Sequence, residues 1–151
     1  MKLVSINSDL LSIFSADPEV LQKNNRPYVL VLRLKYRGRN QDFAIPIRSN
    51  IPAASPKNQY FALPPRPTTR PKNRHGLHYI KMFPIRKEYL LRYRVEGNPF
   101  ALLIQEIIDK NSKEIVSACQ EYINRYSAGE HPAFSTDIDF LLQQLNDLTS
   151  L

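Results

Sequence analysis

Pro52, Pro56, Pro64, Pro65, Pro67 and Pro71 all fall within residues 49 to 74, among Arg66, Arg70, Lys72 and Arg74. A proline removes a ladder donor from a sheet and breaks a helix interior. This stretch is therefore expected to be a long, partly extended loop, and long loops in compact domains are usually functional or disordered. Only Lys57–Leu63 offers a short strand within it. The loop divides the chain into a strand-like first half and, after Glu88, a helical second half.

In the first half, Lys2 to Ile6 reads as a short strand. Asn7 and Ser8 are capping residues for a helix over Asp9–Phe14, and Asp17-Pro18-Glu19 is a second helix-start signal. Tyr28–Tyr36 alternates cleanly, with Tyr28, Leu30, Leu32 and Leu34 on one face and Val29, Val31, Arg33 and Lys35 on the other. Arg37-Gly38-Arg39-Asn40 is a turn, and Asp42–Arg48 returns as a second strand. Pro46 places the end of that strand at an edge or bulge. His75–Phe83 alternates again and reads as a third strand, closed by Pro84.

In the second half, Asn98-Pro99 is a cap followed by proline at a helix start. Phe100, Leu103, Ile104, Ile107 and Ile108 form an apolar stripe, interrupted at Asn111-Ser112. Ile115, Cys119, Tyr122 and Tyr126 continue at helical spacing until Gly129. Ser135 or Thr136 opens a last helix bearing Ile138, Leu141, Leu142 and Leu145. The expected organisation is one α+β domain over residues 1–151. An apolar content of 42% suffices for its core.

Charge is as unevenly distributed as proline. Fourteen of the twenty-one basic residues lie between Arg26 and Lys87, with Asp42 the one acid among them; the remainder holds seven bases and thirteen acids. Gathering like charge costs self-repulsion, and the commonest partner that offsets it is a polyanion, usually nucleic acid. No apolar run approaches the ~18 residues that span a bilayer, and the N-terminus lacks a secretory h-region. A cytoplasmic location without membrane association is expected.

The chemistry available to this basic segment is narrow. A two-metal nuclease needs clustered carboxylates, and the segment offers Asp42 alone. His75 and His78, three apart on a strand, face opposite sides, so no metal site is expected. Cys119 sits in an apolar stripe and reads as a small core residue rather than a nucleophile. No cofactor is implied. RNA cleavage without metal remains open: it needs the sugar oriented, the phosphate's growing charge neutralised and protons moved. Arg26, Arg48, Ser49, Lys57, Tyr60, His75, His78 and Lys81 lie near expected strand ends. Each has a plainer reading: Arg48 as a solvated strand-end charge, Ser49 as a turn residue, His78 as a packed aromatic, Tyr60 as core. Among bases, Tyr60 is equally suited to stacking on unpaired nucleotides.

The ordered segments YVLVLRL, FAIPIRS, SPKN, GLHYIKMFPI, KNSKEIV and FSTDIDFLLQQL together resemble the ToxN/AbiQ superfamily of type III toxin–antitoxin endoribonucleases, including its CptN and TenpN branches. The resemblance runs over nearly the whole chain. It implies a small MazF/PemK-like antiparallel β-barrel elaborated by C-terminal helices. It implies metal-independent cleavage of single-stranded cellular or phage RNA to a cyclic phosphate. The inhibitor it implies is a small structured antitoxin RNA, often a pseudoknot cut from a repetitive precursor, in a closed ring-like assembly that serves plasmid maintenance or phage defence. By position, the family's hydroxyl pair falls on Arg48 and Ser49, with arginine here where the ToxN branch has threonine. A lysine of that branch falls on Arg26, which cannot shuttle a proton as lysine can, and the lysine of SPK falls on Lys57. His75 is the acid–base candidate by chemistry, with Lys81 as a second proton carrier. RNA contacts are expected from Arg33, Lys35, Arg37, Arg39, Asn58, Tyr60, Arg66, Arg70, Lys72, Arg74, His78 and Lys81. Two rival readings use the same residues: a non-catalytic RNA-binding protein, and an interaction module whose LPPRPTTRP segment is an extended ligand.

Overall fold

The computed structural model describes residues 3–22, 29–92 and 97–149. It is an α+β arrangement in which one mixed-length antiparallel sheet is covered by helices on both faces. The strands are β1 (Leu3–Ile6), β2 (Val29–Tyr36), β3 (Arg39–Ile51), β4 (Tyr60–Leu63), β5 (Arg74–His78), β6 (Phe83–Ile85) and β7 (Leu90–Arg92); the helices are α1 (Ser8–Phe14), α2 (Pro99–Lys110), α3 (Ser112–Ser127) and α4 (Ile138–Thr149). The sheet order is β4-β5-β3-β2-β1-β7, with β6 also paired to β3. Among the described residues β4 and β7 do not meet, so the sheet is open. The closed barrel expected from the resemblance is not formed. Helices pack on both of its faces, which leaves no enclosed interior for it to wrap around.

Strand β3 organises the sheet. Tyr36 pairs with Arg39 across Arg37 and Gly38, whose φ angles are 51° and 78°. That is the two-residue turn with both central residues left-handed, whose twist matches the strands it joins. From there β3 runs on to Ile51, longer than the expected Asp42–Arg48 at both ends. One edge pairs with β2 up to Val29 opposite Pro46; the other pairs with β6 over Asp42–Ala44 and with β5 from Ile47. Pro46 lies at the last described pair of one ladder and in the gap between two partners on the other edge. Its missing N–H therefore removes no bond from the middle of a ladder, and an interior strand tolerates it.

The expected third strand over His75–Phe83 is broken. A 3-10 turn over Tyr79–Lys81 separates β5 from β6, and Tyr79, Ile80, Lys81 and Met82 are all buried, which ends the alternation. Pro84 lies inside β6 rather than after it, on a strand paired to β3 alone. The Asp17-Pro18-Glu19 signal starts no helix. The Asp17 carboxylate instead accepts from Glu19 N at 2.9 Å and from Asp137 N at 2.7 Å, at the threshold of α4. Two helix caps are as expected: Asn7 accepts from Asp9 N at 2.8 Å, and Asn98 from Ala101 N at 3.0 Å. The last helix, expected to open at Ser135 or Thr136, starts at Ile138, and Asp137 is its cap, accepting from Phe140 N at 3.1 Å.

Two apolar clusters hold the layers together. On one face Leu30, Leu32, Leu34, Phe43, Ile45 and Ile47 meet Ile104 and Ile108 of α2 and Ile115, Cys119 and Tyr126 of α3. On the other, Val29, Ala44, Phe83 and Ile85 meet Leu10 and Phe14 of α1 and Leu141 and Leu145 of α4. Burial pushes the Cys119 thiol up to about 12, which fits a core residue. Leu103, expected in the α2 stripe, is instead exposed. No helix among the described residues is long and apolar enough to cross a membrane.

Candidate functional site

Strand alternation and register put three side chains on one face at the β3–β5–β4 end of the sheet. Arg48 pairs with Gly76, and His78, two residues on, pairs with Tyr60. Paired residues share a face, as do residues two apart. Gly76 has no substitute here, since a Cβ at that position would lie 2.1 Å from the Phe61 carbonyl oxygen. The absence of a side chain lets β4 close on β5 and leaves Arg48 room beside His78.

Past Arg48 the register slips, and Ser49 and Asn50 have no Cα partner on β5. Bulges of this kind re-aim side chains and are common beside active sites. Asn50 uses its freedom to pin the proline-rich loop: it donates to Thr68 O at 3.1 Å, accepts from Arg70 N at 2.8 Å and accepts from Asn73 Nδ2 at 3.3 Å. The segment 63–71 is thus fastened to the body of the protein rather than held out as a ligand.

An open groove of about 490 Å³ lies over this face, floored by Arg48, His78 and Lys81 and walled by Ser55, Gln59 and Phe134. Arg48 is half-buried, and among the described residues no carboxylate lies within ion-pairing distance of it. His78 is 2% exposed, and neither ring nitrogen has a hydrogen-bond partner. Burial, followed by the charges of Arg48 and Lys81, lowers its pKa to about 3, so the ring is neutral at physiological pH. Lys81 is already engaged: its Nζ donates to Glu19 at 3.2 Å and to Phe134 O at 2.7 Å. Lys57 is exposed at the head of the 3-10 turn Lys57–Gln59, between the groove residues Pro56 and Gln59. A larger depression of about 690 Å³ over α2 and α3 mixes Asp109 and Glu121 with Lys113, which does not suit a polyanion.

The structure therefore brings Arg48, His78 and Lys81 to one groove, with Tyr60 paired to His78 and Ser49 and Lys57 adjoining groove residues in the chain. Arg26 lies outside the described residues. His75 is not part of this group. It points to the opposite face, where its Nδ1 donates to Pro64 O at 2.7 Å and its ring lies 5.8 Å from Phe100. Arg66 belongs to that face too, 5.3 Å over the Phe100 ring. Arg33, Lys35, Arg37 and Arg39 sit toward the far end of the β2–β3 hairpin, about 20 to 30 Å along the strands from Arg48 at ~3.3 Å per strand residue. There Arg33 pairs with Asp42 and Arg37 with Asp139, each at 3.0 Å. Arg70, Lys72 and Arg74 are exposed along the loop leading into β5. Asn58 turns with Gln59 toward a neighbouring depression that also holds Arg125 and His131. The single cationic groove expected from the sequence is thus resolved into separate patches, and one of them carries an unpaired arginine beside an unpartnered histidine.

Sequence reasoning missed Phe134, Gln59 and Glu19. Phe134 is 75% exposed at the groove rim with φ 65°, a left-handed conformation that bulky residues rarely adopt. Nothing in its sequence neighbourhood signals this.

No protein-family model matches the chain, and no curated protein does. Solved structures do. A chain from a bacterial antiviral system regulated by a processed non-coding RNA matches with a TM-score of 0.74 at 17% identity, over 97% of this chain and 98% of that one. A chain from a bacterial type III toxin–antitoxin system, in which a non-coding RNA pseudoknot selectively inhibits the toxin, matches with a TM-score of 0.74 at 13% identity, over 99% and 98%. AbiQ, a lactococcal anti-phage endoribonuclease of the type III toxin–antitoxin system, matches with a TM-score of 0.73 at 14% identity, again over 99% and 98%. What is shared at these identities is the fold, over the full length of each chain.

Proposed function

We propose that this chain is the toxin of a type III toxin–antitoxin system: a metal-independent endoribonuclease restrained by a small structured RNA. The observation that carries the reading is Arg48, a half-buried guanidinium with no carboxylate partner among the described residues, next to Ser49 on a bulged strand end. A full-length fold match to AbiQ supports it. In the proposed reaction the 2′-hydroxyl of an unpaired ribonucleotide attacks its own 3′-phosphate and loses its proton. The P–O5′ bond breaks, the departing 5′-oxygen takes up a proton, and a 2′,3′-cyclic phosphate remains. Ser49 hydrogen-bonds the sugar–phosphate. Arg48 and Lys57, with Arg26, neutralise the charge that builds on phosphorus, the largest contribution a protein of this kind makes. The antitoxin RNA occupies the same groove uncleaved.

Incubating the purified protein with mixed RNA in EDTA tests this. Cyclic-phosphate and 5′-hydroxyl ends are expected, and Ser49→Ala should lower the cleavage rate by roughly a hundredfold. Unchanged toxicity of Ser49→Ala in cells would remove Ser49 from the mechanism. One observation favours the second reading, a non-catalytic RNA-binding protein: the groove histidine, its pKa lowered to about 3, is held neutral, and the groove lysine is already bound to Glu19 and the Phe134 carbonyl. On that reading the RNA stays intact after long exposure.

A further inference from the structure

Two features of the groove have no role in the cleavage chemistry. His78 is buried with a donor and an acceptor both unused, a state that proteins rarely leave uncompensated. Phe134 holds a large apolar ring out at the rim in a conformation that costs backbone strain. That strain is held in place from two sides. Lys81, anchored on Glu19, grips the Phe134 carbonyl, and Thr136 ties the same loop to the 3-10 turn through its N–H to Ile80 O at 2.9 Å and its hydroxyl to Met82 O. A partly buried ion pair and two further hydrogen bonds thus fix this loop at the mouth of the groove.

We propose that this is a base-reading subsite: one unpaired nucleobase of the RNA strand stacks on Phe134, presents its polar edge to His78, and leaves its phosphate on Arg48. The inference rests on the RNA reading given above and adds the nucleotide recognition that reading lacks. Every nucleobase offers a flat π-face to an aromatic ring and adjacent donors and acceptors along its edge. A neutral imidazole can meet such an edge through either its one N–H or its one lone pair, since its two nitrogens point apart. Its depressed pKa keeps it in that form, since an imidazolium has donors only. Gln59, which also lines the groove, offers a side-chain amide to the same base. Lys81 acts here as a positioning residue, through the Phe134 backbone, rather than by touching RNA.

The test uses the full chain and a short single-stranded RNA carrying 2′-fluoro groups, which binds but cannot be cleaved. Abasic sites are placed at each position in turn and affinity is measured. In the parent, one abasic position should weaken binding roughly five- to a hundredfold. Phe134→Ala should weaken the intact RNA by the same factor, and the abasic penalty at that position should vanish. Because the ring is exposed, this variant should keep the parent's thermal midpoint or exceed it. His78→Leu should flatten the preference among bases at that same position. Equal affinity of parent and Phe134→Ala, or an abasic profile identical in both, overturns the subsite. The two readings separate in a parallel assay with ordinary RNA. A Phe134-dependent abasic profile with no cleavage keeps the subsite and removes the enzyme; cleavage with no Phe134 dependence does the reverse.

Discussion

The two ends of strand β3 carry the same kind of residue and different physics. At the hairpin end, Arg33 faces Asp42 in register and Arg37 reaches Asp139 of α4, so these two guanidiniums have carboxylates, while Lys35 and Arg39 lie exposed. At the bulged end, Arg48 faces a glycine, has no carboxylate partner among the described residues, and borders a histidine with no partner at all. The hairpin end is the more basic in sequence, with four bases over residues 33–39 against Arg48 alone over residues 40–56. What matters is whether the fold has already neutralised a given charge. An arginine paired on the protein has little left to offer a phosphate, whereas an unpaired one in a partly desolvated groove has most of its interaction still to make.

Substitutions can break or sharpen that contrast. The largest effect is expected from Arg48→Met, which keeps the aliphatic stem and removes the charge. RNA cleavage should fall by roughly a hundredfold or more, while Arg37→Ala should leave the rate and the stability within measurement scatter. Similar losses from the two would erase the distinction between the ends. Next comes Gly76→Ala. Its new methyl meets the Phe61 carbonyl, so β4 must move away, and urea unfolding should show a loss of about 1–3 kcal/mol. Parent-like stability would mean that β4 is not held as closely as described.

His78→Leu tests the cost of an unpartnered imidazole, and pH reveals it. His78 is neutral when folded, with a pKa near 3, and has an ordinary pKa near 6.5 when unfolded. Below 6.5 the unfolded chain binds a proton that the folded one refuses, so stability is lost as pH falls from 6.5 toward 3. The leucine variant lacks this term. Its advantage over the parent should grow on acidification, to roughly 2 kcal/mol by pH 5, while other titrating groups cancel in the difference. A difference that stays constant with pH would place a protonated imidazole in the fold. The smallest effect is at the hairpin turn, where Gly38 has φ 78° and open space around it. Gly38→Ala should cost about 1 kcal/mol from backbone strain alone, measured by thermal unfolding, with cleavage unchanged.

Much of this molecule was legible locally. The β2 alternation, the Asn7 and Asn98 caps, the break at Asn111 and the core position of Cys119 follow from period, capping chemistry and composition. Even the opposed faces of His75 and His78 followed from parity. The misreadings have one cause, which is contact with distant residues. His75–Phe83 looks like one strand, but Lys81 turns inward to meet Glu19, 62 residues earlier, and a 3-10 turn results. Asp17-Pro18-Glu19 has the form of a helix start, yet Asp17 spends its carboxylate on Asp137, 120 residues away. Pro46 looks like the mark of an edge, but β3 lies inside the sheet and simply changes partners there.

The chain by itself determined most of its strands and helices, the proline-rich loop that separates them, and the gathering of its basic residues in one half. Those conclusions depend on neighbours a few residues apart, whose preferences survive in any fold. Which arginines remain unpaired, which histidine is left without a partner and which phenylalanine is held at a groove rim were decided by tertiary structure alone. Each depends on the absence of a competing group at a few ångströms, and only the folded chain fixes what is absent.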